Sequence, residues 1–365
     1  MEVNINEILI QAKKWSEEYL EKLFNIYRDE AVNTHPTLRT LIDAISDYTL
    51  RGGKRLRAML VLTGYWSKNP SLDPEPVKYV MASIELLQSY FLVHDDIMDR
   101  DEVRRGGPTV HVMFKNACFH EKLLNDCIHY GISQGILAGD YLNALVMSVM
   151  SLLPLSYEIK FKLVEKYSEI MRKVAYGQYL DVYFAYKSIR EVKEYDILKI
   201  HELKTASYTV ELPLFLGAIT ANITDKKIYD VFLKFSKPAG IAFQLRDDII
   251  GLYGDPRITG KPVGSDVREK KKTLLVVKAY EWGNNEVKKF LEEIYDRKKQ
   301  NDITDEDVRM VQEIVKETGS LDYSEKLIGK LYNEAMVALE DSKEISDYTK
   351  NVLKQLLQKL VYREK

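Results

Sequence analysis

The sequence predicts an all-α protein, and three observations predict it. Apolar residues recur at spacings of three and four along most of the chain. No stretch alternates apolar and polar residues long enough to read as a convincing strand. The ten prolines and eighteen glycines fall mainly between the periodic segments. Roughly ten or more helices of ordinary length, joined by short loops, account for this pattern.

The elements follow in order. The opening MEVNINEILIQAKKW has no basic region ahead of an apolar core and small-residue cleavage site, so no secretion signal is expected. Gly52-Gly53 marks a turn, with a helix starting around Lys54 to Arg57. The Pro70 to Pro76 stretch precedes a helix over Val77 to Asp99, and Gly106 to Pro108 forms the next break. Ala144 to Leu155 is the most apolar run; it is far short of the ~20 residues that cross a bilayer, so it reads as a core helix and no membrane span is expected. Helical periodicity resumes over Tyr157 to Tyr186 and Ala239 to Tyr253, followed by a glycine-bounded break, Gly254 to Gly264. From Glu281 onward the helices are charged and amphipathic. One starts at Thr304, where Asp305, Glu306 and Asp307 suit the positive end of a helix. With no Ser/Gly/Pro linker and no solenoid period, residues 1–365 are expected to form a single domain, with 281–365 as its C-terminal packing helices.

Composition narrows the function. With 45% hydrophobic and 30% charged residues, the chain can bury a core. Its 53 basic and 55 acidic residues leave a net charge of −2, so no global field draws it to nucleic acid or an anionic membrane. Any anion site must be local. Cys118 and Cys127 lie nine apart with no second pair, which argues against a disulfide framework and a thiolate metal site. Free thiols in a reducing cytoplasm are the expectation.

The local chemistry sits in two acidic helix ends. In LVHDDIMDRDEVRRGG, residues 92 to 107, Asp95 and Asp99 are four apart and share a helix face, with Asp96 about 100° round the axis. Like charges one turn apart repel, and a hard divalent cation such as Mg2+ relieves that repulsion through carboxylate oxygen. FQLRDDIIGLYGD, residues 243 to 255, repeats the device with Asp247 and Asp248, Gln244 one turn before and Asp255 two turns after. Two such helices suggest walls of one metal-holding cavity, and Asp181 in GQYLD is a third acidic candidate.

Basic residues flank these positions. Lys54 and Arg57 in RGGKRLR follow a Gly-Gly turn at a helix start, where free backbone N–H groups favour phosphate. Arg104 and Arg105 come just past the first acidic cluster. Lys204-Thr205, Lys261 and the run Lys270 to Lys272 add further candidates. Arginine suits bidentate phosphate contacts, whereas lysine acts as a point charge.

The ordered series GGKRLR (52–57), LVHDDIMDRDEVRRGGPTVH (92–111), AGDYL (138–142), GQYLD (177–181), KT (204–205), FQLRDD (243–248) and GKPVGSDVREKKKT (260–273) resembles the trans-isoprenyl diphosphate synthases, the farnesyl and geranylgeranyl diphosphate synthase family. The resemblance implies an isoprenoid-synthase-type bundle of antiparallel helices around a central cavity, homodimeric, with three Mg2+ ions per active site. It implies condensation of isopentenyl diphosphate with an allylic diphosphate to farnesyl (C15) or geranylgeranyl (C20) diphosphate. It places Asp95, Asp99 and Asp247 on the metal ions, supported by Asp96 and Asp248. Arg104, Lys204, Thr205, Gln244 and Lys261 take the allylic diphosphate; Lys54, Arg57 and Arg105 take isopentenyl diphosphate.

Three features depart from the family pattern. Gln88 stands where the isopentenyl pocket usually has histidine, and Gly251 stands where a third aspartate could lie, with Asp255 nearby. The stretch Lys115 to Ser133 is longer than expected and has no assigned role. Tyr90 and Phe91, one turn below Asp95, are the expected floor that limits product length, at C15 ahead of C20. A class I terpene cyclase would share the carboxylates but has no need of the second basic pocket, and a non-catalytic partner subunit should have lost the carboxylates. A histidine-rich phosphohydrolase is disfavoured because only His94 adjoins an acidic cluster.

Overall fold

The computed structural model describes residues 4–254 and 263–362. Its helices are α1 Ile5–Thr34, α2 Arg39–Leu50, α3 Leu56–Tyr65, α4 Glu75–Asp99, α5 Val110–Glu121, α6 Cys127–Leu152, α7 Tyr157–Ala185, α8 Glu194–Ile200, a π-helix His201–Glu211, α9 Leu212–Thr220 and α10 Lys226–Tyr253. A short α11 Ser265–Arg268 and five longer helices between Leu274 and Val361 follow. Among the described residues, the only sheet is a two-residue ladder of β1 Val103–Arg104 and β2 Gly107–Pro108. The all-α expectation holds, and RRGG, expected as a plain break, is a hairpin.

Local signals explain the starts. Asn4, Asp126 and Asp225 cap α1, α6 and α10 by accepting backbone N–H bonds. Thr304 forms a reciprocal capping box with Asp307 at the helix Asp305–Glu317, where the acidic triplet predicted a start.

Two compact units emerge from the packing. The first comprises residues up to Lys166 together with Pro213–Thr224; the second comprises Tyr167–Leu212 and Asp225–Lys365. In the first, α4 packs on α3, α6 and α1, and α5 lies along α6. Met59, Leu60, Leu62, Met81, Ile84 and Leu86 form its buried centre. In the second, α10 packs against the π-helix and the helix Ser320–Glu340, burying Phe232 and Phe235.

Two expectations change here. Cys118 and Cys127 form a disulfide, with Cα atoms 5.5 Å apart. The sequence argument counted pairs, whereas the α5–α6 turn folds the last turn of one helix onto the first of the next, a separation a disulfide spans. The pairing removes the thiol argument for a reducing compartment. The unexplained stretch 115–133 is thus the stapled corner of these helices. The apolar run from Ala144 is also only part of α6, whose 26 residues are by length and hydropathy sufficient to cross a bilayer. A core helix meets the same measure, and α6 packs against α4 and α5.

Candidate active site

In the first unit, the helical period decides which carboxylates face outward. Asp95 and Asp99 are partly exposed at the end of α4, and Asp96 is fully buried. The chain leaves α4 through Arg100 in the left-handed region, then turns at Arg105 and Gly106, both with positive φ, as a two-residue hairpin with primed geometry requires. That turn folds Arg104 back against α4. Its Nε donates to Asp96 Oδ1 at 2.5 Å, and its Nη2 donates to Asp101 Oδ2 at 3.0 Å.

Asp96 has a second partner that the sequence reading missed. Tyr48 Oη, from α2, donates to Asp96 Oδ2 at 2.5 Å in a buried contact. Burial pushes the Asp96 carboxyl up to about 6, while the Arg104 guanidinium and the Tyr48 hydroxyl hold it from rising further. Arg51, one turn after Asp47, secures the hairpin by donating to Pro108 O at 2.9 Å while paired with Asp47 at 2.7 Å.

The GGKRLR residues separate by role. Arg55 is buried and ion-paired with Glu17 and Glu85, both at 3.1 Å, a structural assignment. Lys54 is exposed and Arg57 half-buried at the start of α3. Arg57 Nη1 donates to Gln88 Oε1, so the departing glutamine orients a basic residue of the expected isopentenyl pocket. The Arg105 guanidinium lies beside Gly53 and donates to Arg51 O at 3.2 Å. Tyr90 and Phe91 are half-buried with ring centroids 5.1 Å apart, and Tyr90 meets the His94 ring edge-on at 4.9 Å.

In the second unit, the KT pair lies on the π-helix, a form often found at functional sites. A side chain at Gly177 of α7 would come within 2.5 Å of Lys204 N, and one at Gly240 of α10 within 2.4 Å of Ala206 Cα. Both helices therefore approach the KT backbone closely. Lys204 Nζ donates to Asp181 Oδ2 at 2.7 Å. Burial opposes the Asp181 charge, but Lys204 and Lys271 outweigh it and hold the carboxyl below its ordinary range.

Thr205 Oγ1 donates to Gln244 Oε1 at 2.9 Å, and Gln244 Nε2 donates to Asp248 Oδ1 at 3.0 Å. His201 Nε2 lies 3.3 Å from Asp248 Oδ2. This corrects the reading that only His94 belongs with acidic residues; sequence adjacency could not show a partner 47 positions away. Burial works against the Asp248 charge, and His201, Lys271 and Gln244 together keep it below the usual carboxylate range. Asp247 is partly exposed beside it.

A cavity of about 40 Å³ is lined by Asp181, His201, Lys204, Thr205, Gln244 and Lys271, among others. The other two lysines of the run serve backbone carbonyls: Lys270 donates to Lys298 O and Lys272 to Ala185 O, each at 2.7 Å. Gly251 is pressed against Asp266, whose Oδ2 would lie 2.3 Å from an added Cβ. Asp266 thus occupies the space a third aspartate would need. Lys261 and Asp255 lie outside the described residues.

Among the described residues, no three His, Cys, Asp or Glu side chains converge as a ready metal cage. Mg2+ is commonly held by one or two carboxylates plus phosphate oxygens and water. The one-turn spacing of Asp95 and Asp99, and the exposed side of Asp247, fit that requirement. The buried Asp248 Oδ2 is met by His201 Nε2 at 3.3 Å, so Asp248 is held within the protein while Asp247 presents the exposed carboxylate.

An all-α fold with acid pairs at two helix ends, accompanied by clustered cations, defines the class of isoprenoid diphosphate enzymes. The polyprenyl synthetase family pattern matches residues 39–315, and the chain belongs to that family of prenyltransferases. It is 33% identical over 319 residues to the geranylfarnesyl diphosphate synthase of Aeropyrum pernix, covering 86% of this chain and 91% of that protein. It is 34% identical over 316 residues to the geranylgeranyl diphosphate synthase of Sulfolobus acidocaldarius, covering 86% and 88%. A geranylgeranyl pyrophosphate synthase of Corynebacterium glutamicum, solved with isoprenyl diphosphate and magnesium, superposes with a TM-score of 0.89 at 28% identity over 99% of this chain and all of that one.

Proposed function

We propose that this protein condenses isopentenyl diphosphate with an allylic diphosphate, giving a C15 or C20 prenyl diphosphate. The observation that carries the reading is a division of labour within each acid pair. Asp95 and Asp247 are partly exposed, while Asp96 and Asp248 are buried against a candidate diphosphate ligand, Arg104 in one unit and Gln244 in the other.

Asp95, Asp99 and Asp247 would hold Mg2+, three ions per site by resemblance, with Asp96 and Asp248 in support. When bound, Mg2+ neutralises the diphosphate and eases its departure. Arg104, Lys204, Thr205, Gln244 and Lys261 bind the allylic diphosphate and stabilise charge building on the leaving oxygens. Lys54, Arg57 and Arg105 bind isopentenyl diphosphate, and Gln88 contributes by orienting Arg57. The allylic C–O bond breaks with its electron pair leaving on diphosphate; the isopentenyl double bond attacks the resulting cation. Loss of a proton to the released diphosphate restores an alkene. Tyr90 and Phe91 block further tail growth.

The proposal includes a single catalytic domain working as a homodimer in the cytoplasm, where both charged substrates are soluble. Purified protein with Mg2+, labelled isopentenyl diphosphate and C5, C10 or C15 primers tests it, with products sized after dephosphorylation. Growth to C15 or C20 is expected. Folded protein that incorporates no label from any primer refutes it.

A further inference from the structure

We infer that Tyr48 is a positioning residue for Arg104, acting through Asp96; the inference rests on the reading of Arg104 as an allylic-diphosphate ligand. Arg104 belongs to a ladder only two residues long, so its backbone alone aims the long side chain poorly. Its guanidinium has five N–H donors. Asp96 takes the Nε donor and Asp101 takes one on Nη2, and among the described residues no acceptor takes those on Nη1. Nη1 is therefore an edge available to an anion.

The aim of that edge depends on a fixed Asp96 carboxylate. With no exposed surface, Asp96 receives no help from solvent. Arg104 occupies Oδ1, and the Tyr48 hydroxyl occupies Oδ2 at 2.5 Å. Tyr48 is itself locked: it is 2% exposed on α2, and the Arg51 guanidinium lies over its ring at 5.7 Å from the centroid. The same Arg51 donates to Pro108 O in the hairpin. The last turn of α2 thus grips both ends of the device, the carboxylate through Tyr48 and the hairpin backbone through Arg51. Without the hydroxyl, a buried carboxylate oxygen loses its donor, and the carboxylate is free to rotate away from Arg104.

Tyr48→Phe removes the hydroxyl and keeps the ring. The expected result is a roughly 10-fold rise in KM for geranyl diphosphate, the scale of one hydrogen bond to a charged group. KM for isopentenyl diphosphate and the Mg2+ half-saturation should stay within about twofold of wild type. Calorimetric titration with geranyl S-thiolodiphosphate, which resists ionisation, should show the same weakening without turnover. In an Arg104→Gln background, Tyr48→Phe should add less than a twofold further effect. If Tyr48→Phe does not fold, Asp96→Asn must show the same one-sided change, a rise in allylic KM together with a loss of analogue affinity. Unchanged allylic KM and analogue affinity overturn the inference, as does an equal loss for both substrates, the mark of a general structural role. Wild-type protein that neither condenses the substrates nor binds the analogue overturns the inference and the proposed function together.

Discussion

Gly177→Ala should damage activity far more than its single added methyl suggests. The new Cβ would lie 2.5 Å from Lys204 N and 2.9 Å from Leu203 C, both backbone atoms, where 3.4 Å begins ordinary contact. Neither can rotate away, so α7 and the π-helix must separate by about 0.9 Å. If that shift falls along the 2.7 Å Lys204–Asp181 bond or the 2.9 Å Thr205–Gln244 bond, it stretches them to about 3.6 or 3.8 Å, beyond hydrogen-bond range. Overpacking of this kind costs about 1–3 kcal/mol, which lowers Tm by roughly 1–4 °C in a chain of 365 residues. A displacement near 1 Å of a substrate-positioning segment costs on the order of 100-fold in rate. Calorimetry and steady-state incorporation of labelled isopentenyl diphosphate read the two effects. Gly329→Ala is the control: an added Cβ meets nothing within 4 Å, so ~0.5–1 kcal/mol of stabilisation and normal activity are expected. A Gly177→Ala enzyme with wild-type Tm and rate would refute the close-approach argument.

The remaining predictions concern pH, redox state and product length. Burial lowers the Lys272 ammonium to about 8, so between pH 8 and 10.5 the unfolded chain binds the proton more tightly and stability rises with pH, by at most about 3 kcal/mol. Lys272→Met should flatten that part of a Tm-versus-pH curve, and a wild-type curve with no rise above pH 8 would exclude the effect. Reducing Cys118–Cys127, which closes a loop of nine residues' separation, should cost about 2.5 kcal/mol by loop entropy; melting with and without reductant measures it, and identical curves count against a stabilising staple. Tyr90→Ala and Phe91→Ala should each lengthen the principal product by at least one C5 unit, read by chromatography after dephosphorylation, whereas an unchanged product distribution would place the floor elsewhere.

Much of the fold was legible because its signals are local. The spacing of apolar residues in Val77 to Asp99 recovers α4, which spans Glu75–Asp99, and Thr304 with its acidic triplet marks a real capping box. Helix periodicity also separates Asp95 and Asp99 from Asp96, since a 100° rotation per residue turns one outward and its neighbour inward. The family pattern was legible in motif order, which survives without any distance information.

What the sequence could not supply are the partners of buried polar groups. Tyr48 precedes Asp96 by 48 positions and His201 precedes Asp248 by 47, and nothing at either tyrosine or histidine marks it locally as different from an ordinary core residue. Arg104 read as a free phosphate ligand until the hairpin folded it onto Asp96, and the two cysteines read as thiols until the α5–α6 corner joined them. For Tyr48 and His201, periodicity records which face of a helix is buried, while the choice of partner on that face depends on how helices cross; for Arg104 and the cysteines, the pairing depends on how a turn folds the chain back. The sequence by itself determined the helices, the carboxylate faces and the family. Tertiary structure decided which carboxylates anchor other side chains and which remain available for metal and diphosphate.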